Sequence, residues 1–110
     1  MPVLDVNDTN FTEALAGAEL AIVDFYASWC GPCIMFAATF AALSEQYPHV
    51  RFLKLDGEKS PQARKTVQIP GLPYFAVYRD GVFLDGVATS KEAKVRELLD
   101  RHFAAAGSPA

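Results

Sequence analysis

Residues 29–33 read Trp29-Cys30-Gly31-Pro32-Cys33, and this stretch contains both cysteines of the 110-residue chain. An apolar run over Leu20–Tyr26 leads into it, and a segment with helical spacing of apolar residues follows it. The stretch is therefore predicted to be a strand-to-helix junction, with Cys30 at or beside the helix N-terminus. Unpaired backbone N–H groups and the helix dipole favour negative charge there, so the site favours a reactive thiolate. Pro32 suits the first helical turn, where a missing N–H group costs nothing.

Two cysteines separated by two residues can belong to several kinds of site. A zinc site needs a second pair of ligands, but His49 and His102 are far apart and form no ligand-spaced cluster. Covalent haem attachment requires a histidine directly after the second cysteine, where this chain has Ile34. A purely structural disulfide across so short a loop would remove little entropy from the unfolded chain. We therefore predict a redox-active pair, with no metal ion and no other cofactor.

The composition limits the class of protein. A length of 110 residues predicts one domain, and a hydrophobic fraction of 51% is ample for a globular core. The net charge of −3 and the pI of about 5.2 argue against binding to nucleic acid or anionic membranes, and the apolar runs are too short to span a bilayer. Residues 1–10 are polar and acidic, unlike a signal peptide. We therefore expect a cytoplasmic protein, in which two cysteines are more often catalytic than structural.

Apolar periodicity and turn residues predict elements in the order β-α-β-α-β-α-β-β-α. Ser60 is predicted to cap the third helix, and Asp80-Gly81 to form the tip of a hairpin. The strands on either side of the second helix are predicted to be parallel. We expect one domain over residues 1–104 and a flexible tail over residues 105–110. The predicted strands cover 3–6, 20–26, 50–56, 74–78 and 82–87. The first three predicted helices cover 11–18, 33–47 and 61–68, and the last helix carries an apolar stripe over 95–103.

Asp24 interrupts the apolar run of the predicted central strand. A buried carboxylate is costly unless it is paired or neutral. Because Asp24 comes only six residues before Cys30, a functional role is favoured over a strand-end carboxylate that reaches water. Lys54, on the following strand, is either a solvated lysine at a strand edge or a partner for Asp24.

The whole pattern resembles the thioredoxin family, from about Val3 to Phe103. The segment Val23–Cys33 resembles the active-site segment of that family, and Pro73 matches a cis-proline beside the cysteines. Asp24 matches the buried carboxylate of the family, and Lys54 matches the lysine that approaches it. The resemblance implies an α/β thioredoxin fold, with a central mixed β-sheet of four to five strands flanked by about four helices.

The resemblance also implies a thiol-disulfide oxidoreductase that reduces protein disulfides. Cys30 would attack the target and form a mixed disulfide, and Cys33 would then attack Cys30 to release the reduced target. Asp24 would take the proton from Cys33 as a general base, with Lys54 modulating it. A thioredoxin reductase would return the pair to its dithiol form, and we expect the protein to act as a monomer.

The chain departs from the family pattern at two positions beside the cysteines. Ile34 stands where a basic residue is usual, and Tyr74 stands where a threonine is common. Both changes are expected to add apolar surface and to shift the range of partners; the alternative is that they only cover a surface that tolerates variation. The same fold also supports two alternatives: a thiol oxidase or isomerase, and a binding or chaperone subunit with incidental cysteines. The residues expected to shape the substrate groove are Trp29, Gly31, Pro32, Leu72, Pro73 and Tyr74.

Overall fold

Residues 3–103 are described by the computed structural model, and the tail predicted at residues 105–110 lies outside them. The predicted order and type of all elements are confirmed. No helix within residues 3–103 is long and apolar enough to cross a lipid bilayer. The strands are β1 (Leu4–Val6), β2 (Leu20–Tyr26), β3 (Arg51–Asp56), β4 (Tyr74–Arg79) and β5 (Val82–Ala88), and the helices are α1 (Phe11–Ala16), α2 (Gly31–Gln46), α3 (Pro61–Arg64) and α4 (Glu92–His102).

The five strands form one mixed sheet in the order β1-β3-β2-β4-β5. β1 and β2 both pair in parallel with β3, whereas β4 is antiparallel to β2 and β5 is antiparallel to β4. The parallel pairing of β2 and β3, with α2 between them in the chain, confirms the predicted βαβ unit. The mixed sheet with four helices confirms the fold class. Because β2 is the central strand, the junction between β2 and α2 lies at the middle of the sheet.

Successive side chains of β2 point into two apolar layers on opposite faces of the sheet. Ile22 belongs to the layer beneath α2 and α4, together with Phe40 and Phe75. Val23 and Phe25 belong to the opposite layer, against α1 and α3. Burial on both faces explains why this strand is a nearly continuous apolar run. By the same alternation, Asp24 lies on the α2 face of the sheet.

The N-terminus of α3 is capped from a distant part of the chain. Ser60 is the N-cap residue, but its side chain makes no capping bond, and its buried Oγ has no hydrogen-bond partner within residues 3–103. Asp8 instead accepts hydrogen bonds from the N–H groups of Gln62, at 3.1 Å, and Ala63, at 2.8 Å. A carboxylate also interacts favourably with the positive end of the helix. Ser60 therefore occupies the predicted N-cap position but does not cap the helix with its side chain, and the helix ends at Arg64, earlier than predicted.

The hairpin between β4 and β5 turns at Asp80 and Gly81. Both residues have positive φ, of 52° and 81°. Two successive positive φ values are the mark of a type I′ turn, whose twist matches that of the two strands. The Asp80 N–H donates a hydrogen bond to the Glu19 carbonyl at 2.8 Å. The predicted position of the hairpin tip is thereby confirmed.

Candidate active site

A disulfide joins Cys30 and Cys33 at the N-terminus of α2. Cys30 is the N-cap residue, and its Sγ accepts a hydrogen bond from the Cys33 N–H at 3.3 Å. Gly31 begins the helix and Pro32 lies in its first turn, and both are exposed. One of the N–H groups that a helix leaves without an internal partner is thus directed at the sulfur. In the reduced protein, this N–H group and the helix dipole would favour a thiolate on Cys30.

The two cysteines belong to a small apolar cluster. Only 6% of Cys30 and 3% of Cys33 is exposed, and the side chains of Tyr26 and Leu72 pack against the cluster. Cys30 is the more exposed of the pair, which suits it to meet a target disulfide. Both cysteines are buried, and the bond between their sulfurs shows that Cys33 is within reach of Cys30.

The loop before β4 meets the cysteines through tertiary structure. The peptide bond between Leu72 and Pro73 is cis, as the resemblance implied. Leu72 contacts the cysteine cluster. The carbonyl of Pro73 accepts a hydrogen bond from the Thr89 N–H at 3.1 Å, which ties the loop to the end of β5. The structure therefore brings Leu72 to the redox pair, although the two are distant in sequence.

Asp24 is a buried carboxyl group on the central strand, with 1% of the residue exposed. Burial raises its pKa from 3.8 to about 7, and the Lys54 ammonium acts in the opposite direction. Its Oδ1 has no hydrogen-bond partner within the described part of the chain. A carboxyl group with a pKa near neutrality can gain or lose a proton at physiological pH. The predicted burial of Asp24 is confirmed, and its environment suits it to proton transfer.

Lys54 lies opposite Asp24 in the parallel register between β2 and β3. Its Nζ lies 4.9 Å from the centre of the Tyr26 ring, in a cation–π contact. Among the ion pairs of residues 3–103, none joins Lys54 to Asp24. Lys54 therefore acts on Asp24 through space, without direct contact. Tyr26 was not among the predicted site residues, because only the strand register places its ring next to Lys54.

Exposed apolar side chains flank the two cysteines in the sequence. Trp29 is 68% exposed, Ile34 56% and Met35 82%, although the sequence had not singled out Met35. The expectation that Tyr74 adds to this surface is wrong, because its side chain is buried. Tyr74 packs against Phe25, with 6.2 Å between ring centres, in the layer on the opposite face of the sheet. The exposed apolar surface at the redox pair is therefore formed by α2 and the preceding turn, and the partly buried Leu72 of the loop before β4 packs against the cysteines.

The remaining titratable side chains do not gather around the pair as a metal site. Within residues 3–103, no group of three or more His, Cys, Asp or Glu side chains is arranged to hold a metal ion. The Nε2 atom of His102 lies 3.0 Å from Asp85 Oδ2, which joins α4 to β5. The chemistry to which Cys30, Cys33 and Asp24 are suited together is reversible thiol-disulfide exchange with proton transfer.

Known proteins resemble this chain along most of its length. The thioredoxin family model matches residues 2–101. Thioredoxin from Chlamydia trachomatis is 31% identical over 98 residues, which make up 88% of this chain and 95% of that protein. Thioredoxin-2 from Pyricularia oryzae is 30% identical over 93 residues, 84% of this chain, and the match spans about half of that protein, 54% of its length. The sequence similarity therefore extends well beyond the cysteine motif.

The same fold occurs in solved structures. One is the crystal structure of the complex between ferredoxin:thioredoxin reductase and thioredoxin f2. The similar chain in it superposes with a TM-score of 0.86 at 27% identity, and the match covers 92% of this chain and 94% of that one. Because the family match spans nearly the whole chain and includes the Cys30–Cys33 pair, the chain belongs to the thioredoxin family of thiol-disulfide oxidoreductases.

Proposed function

We propose that this protein reduces disulfide bonds of other proteins, with Cys30 as the attacking residue and Cys33 as the resolving residue. The observation that carries the proposal is the position of Cys30 as the N-cap of α2, with the Cys33 N–H directed at its sulfur. This geometry favours the thiolate, which is the form of cysteine that attacks a disulfide. The position of Cys33 inside the first turn of α2, with its sulfur bonded to that of Cys30, supports its assignment to the second, internal step.

The reaction transfers two electrons to the target in two exchanges. The Cys30 thiolate first attacks one sulfur of the target disulfide, so that a Cys30–target bond forms and the other target sulfur leaves as a thiolate, which is then protonated. Cys33 then loses its proton and attacks the Cys30 sulfur. The Cys30–Cys33 bond forms, and the second target sulfur leaves. Because this step is intramolecular, its effective concentration can reach roughly 10⁵ M in a well-oriented site.

Asp24 is proposed to accept the Cys33 proton, directly or through one water molecule. Its pKa of about 7 is suited to this role, since a general base works best when its pKa lies near the working pH. Asp24 also lies on the face of the sheet that α2 covers. Lys54 is proposed to modulate this base, because its positive charge lowers the pKa that burial has raised.

A second protein must return the oxidised pair to its dithiol form, and we propose a thioredoxin reductase. Support comes from the relative thioredoxin f2, which forms a complex with ferredoxin:thioredoxin reductase. The exposed side chains of Trp29, Ile34 and Met35 beside the disulfide suit contact with protein partners. The proposal needs no cofactor besides the cysteine pair. It assumes a monomer in the cytoplasm, where thiols are kept reduced.

The test is reduction of insulin by the purified protein, coupled to a thioredoxin reductase and its electron donor. We expect sustained insulin reduction by the wild type and none by Cys30→Ser. A thiol oxidase or isomerase would instead favour disulfide formation or reshuffling in a reduced or scrambled protein. A binding or chaperone subunit would bind unfolded insulin chains without changing their disulfides, and that result would contradict the proposal.

A further inference from the structure

Tyr26, the last residue of β2, connects the redox pair to a group of charged side chains. Its ring is partly buried and packs against the cluster that contains Cys30 and Cys33. The Lys54 Nζ lies 4.9 Å from the centre of the same ring. A cation over an aromatic face is attracted by the negative charge density of the ring. Tyr26 thus packs against the cysteine cluster and also contacts Lys54, the cation that acts on Asp24.

Lys54 lies between two carboxylates in the register of the sheet. Asp5 of β1 and Asp24 of β2 are its direct partners on either side. Asp5 is exposed and Asp24 is buried, and neither forms an ion pair with Lys54 within the described residues. An ammonium group without other contacts would move toward Asp5, where it keeps its hydration, because bringing it to a buried carboxylate requires desolvation. The cation–π contact with Tyr26 opposes this movement.

Other carboxylates act on the Tyr26 ring, and Asp24 has a further neighbour on β4. Besides burial, the carboxylates of Asp56, Asp5 and Asp24 raise the pKa of the Tyr26 hydroxyl, so three anions act on this ring. On the β4 side, the register partner of Asp24 is the uncharged Phe75. Lys54 is therefore the cation that acts on Asp24, while Asp5 lies opposite Lys54 and Asp56 lies opposite Tyr26 in the register of the sheet.

We propose that Tyr26 is a positioning residue of the redox site, whose ring holds the Lys54 ammonium near Asp24 and away from Asp5 and Asp56. This inference rests on the proposed role of Asp24 in proton transfer. If the ring were lost, the ammonium would move toward solvent and toward Asp5 and Asp56. The pKa of Asp24 would then rise further, and Asp24 would be protonated over a wider pH range. The ring thereby sets the pH range in which Asp24 can accept the Cys33 proton.

The test compares Tyr26→Leu, which removes the aromatic face, with Tyr26→Phe, which keeps it and removes only the hydroxyl. Lys54→Met serves as the reference for loss of the cation. The carboxyl carbon of Asp24 is titrated by ¹³C NMR in the oxidised protein. We expect Tyr26→Leu to raise the pKa of Asp24 by about 0.5 to 1 pH unit, because Asp24 loses the effect of a positive charge that acts on it without direct contact. Lys54→Met should shift the pKa in the same direction. Tyr26→Phe should stay close to the wild type.

Two results would overturn the proposal: an unchanged or lowered pKa of Asp24 in Tyr26→Leu, and an equal rise in Tyr26→Phe. If Tyr26→Leu does not fold, Tyr26→Met takes its place, since it also lacks an aromatic face. As a second readout, the acidic limb of the pH profile for insulin reduction should move upward by the same amount as the pKa of Asp24. Because the NMR titration needs no turnover, absence of insulin reduction with the expected NMR shifts would refute the proposed function and leave the positioning role standing.

Discussion

The hydroxyl of Tyr74 occupies the space that a Cβ atom on Gly86 would need. The two residues lie on the adjacent antiparallel strands β4 and β5, where Tyr74 is paired with Ala88 and Ala76 with Gly86. The tyrosine ring therefore crosses diagonally over the glycine, a contact within reach of aromatic side chains. Gly86 does not have positive φ. This glycine is thus required by the packing of a neighbouring ring and not by the conformation of its own backbone.

We expect Gly86→Ala to lower the free energy of unfolding by about 1–3 kcal/mol, because the buried Tyr74 ring must move. In a Tyr74→Val background the space is free, so Gly86→Ala should cost much less. Urea unfolding of the four proteins should give a coupling energy of about 1 kcal/mol or more. Gly71→Ala is the control, because its Cβ would meet the Ala88 Cβ at an ordinary 3.8 Å. Additive costs of the two substitutions would contradict the packing argument.

Asp24→Asn should change how stability depends on pH. Burial raises the pKa of Asp24 from 3.8 to about 7. At a pH between these two values, the folded chain therefore keeps a proton on Asp24 that the unfolded chain has released. Wild-type stability from this group is therefore full below about pH 4 and is lost as the pH rises through about 7. Asp24→Asn should be more stable than the wild type by roughly 2–4 kcal/mol above pH 7, and nearly equal to it below pH 4. Urea unfolding at both extremes checks this, and a constant difference would count against it.

Cys30 should react faster than Cys33 with iodoacetamide in the reduced protein, because the helix N-terminus favours its thiolate. Mass spectrometry of the alkylated peptides gives the two rates. Cys30→Ser should abolish disulfide reduction, whereas Cys33→Ser should accumulate mixed disulfides, since the attack survives and the release does not. Equal alkylation rates, or full turnover by either variant, would show that the roles are assigned wrongly.

Asp8→Ala should lower the free energy of unfolding by about 1 kcal/mol, because two N–H groups of α3 lose their acceptor. Ser60→Ala is the matched control at the N-cap position itself. It should cost little or be stabilising, since the buried Ser60 Oγ has no partner within residues 3–103. Thermal or urea unfolding of both variants shows whether the side chain of Asp8 or that of Ser60 caps α3. A larger cost for Ser60→Ala than for Asp8→Ala would contradict this reading of α3.

Ile34→Lys should change which disulfides the protein reduces fastest. A positive charge beside the cysteines steers acidic partners, and the loss of an exposed apolar side chain weakens apolar contacts. The measurement compares rates of reduction for two disulfide peptides, one acidic and one apolar. We expect the ratio of acidic to apolar rates to rise several-fold at low salt and to fall back as salt screens the charge. Ala41→Lys, at an exposed position further along α2, is the control, and an equal effect there would refute a local role for Ile34.

The features that the sequence by itself determined are local in origin. The nearly continuous apolar run over Leu20–Tyr26 predicts a buried strand. Asp80-Gly81 predicts the hairpin tip, since these residues tolerate the two positive φ values of the turn. The spacing of Cys30 and Cys33 places both in one turn at the start of a helix. In each case the interactions join residues within a few positions of each other, so the sequence pattern records them directly.

Tertiary structure decided the contacts between residues that are distant in the chain. Asp8 caps a helix 54 residues further along, Lys54 lies over the ring of Tyr26, and Tyr74 turns away from the redox pair to cover Gly86. Each of these depends on the strand register, because a slip of one residue moves every side chain of a strand to the opposite face. Register is set by the packing of both apolar layers together, and no single stretch of sequence contains that information.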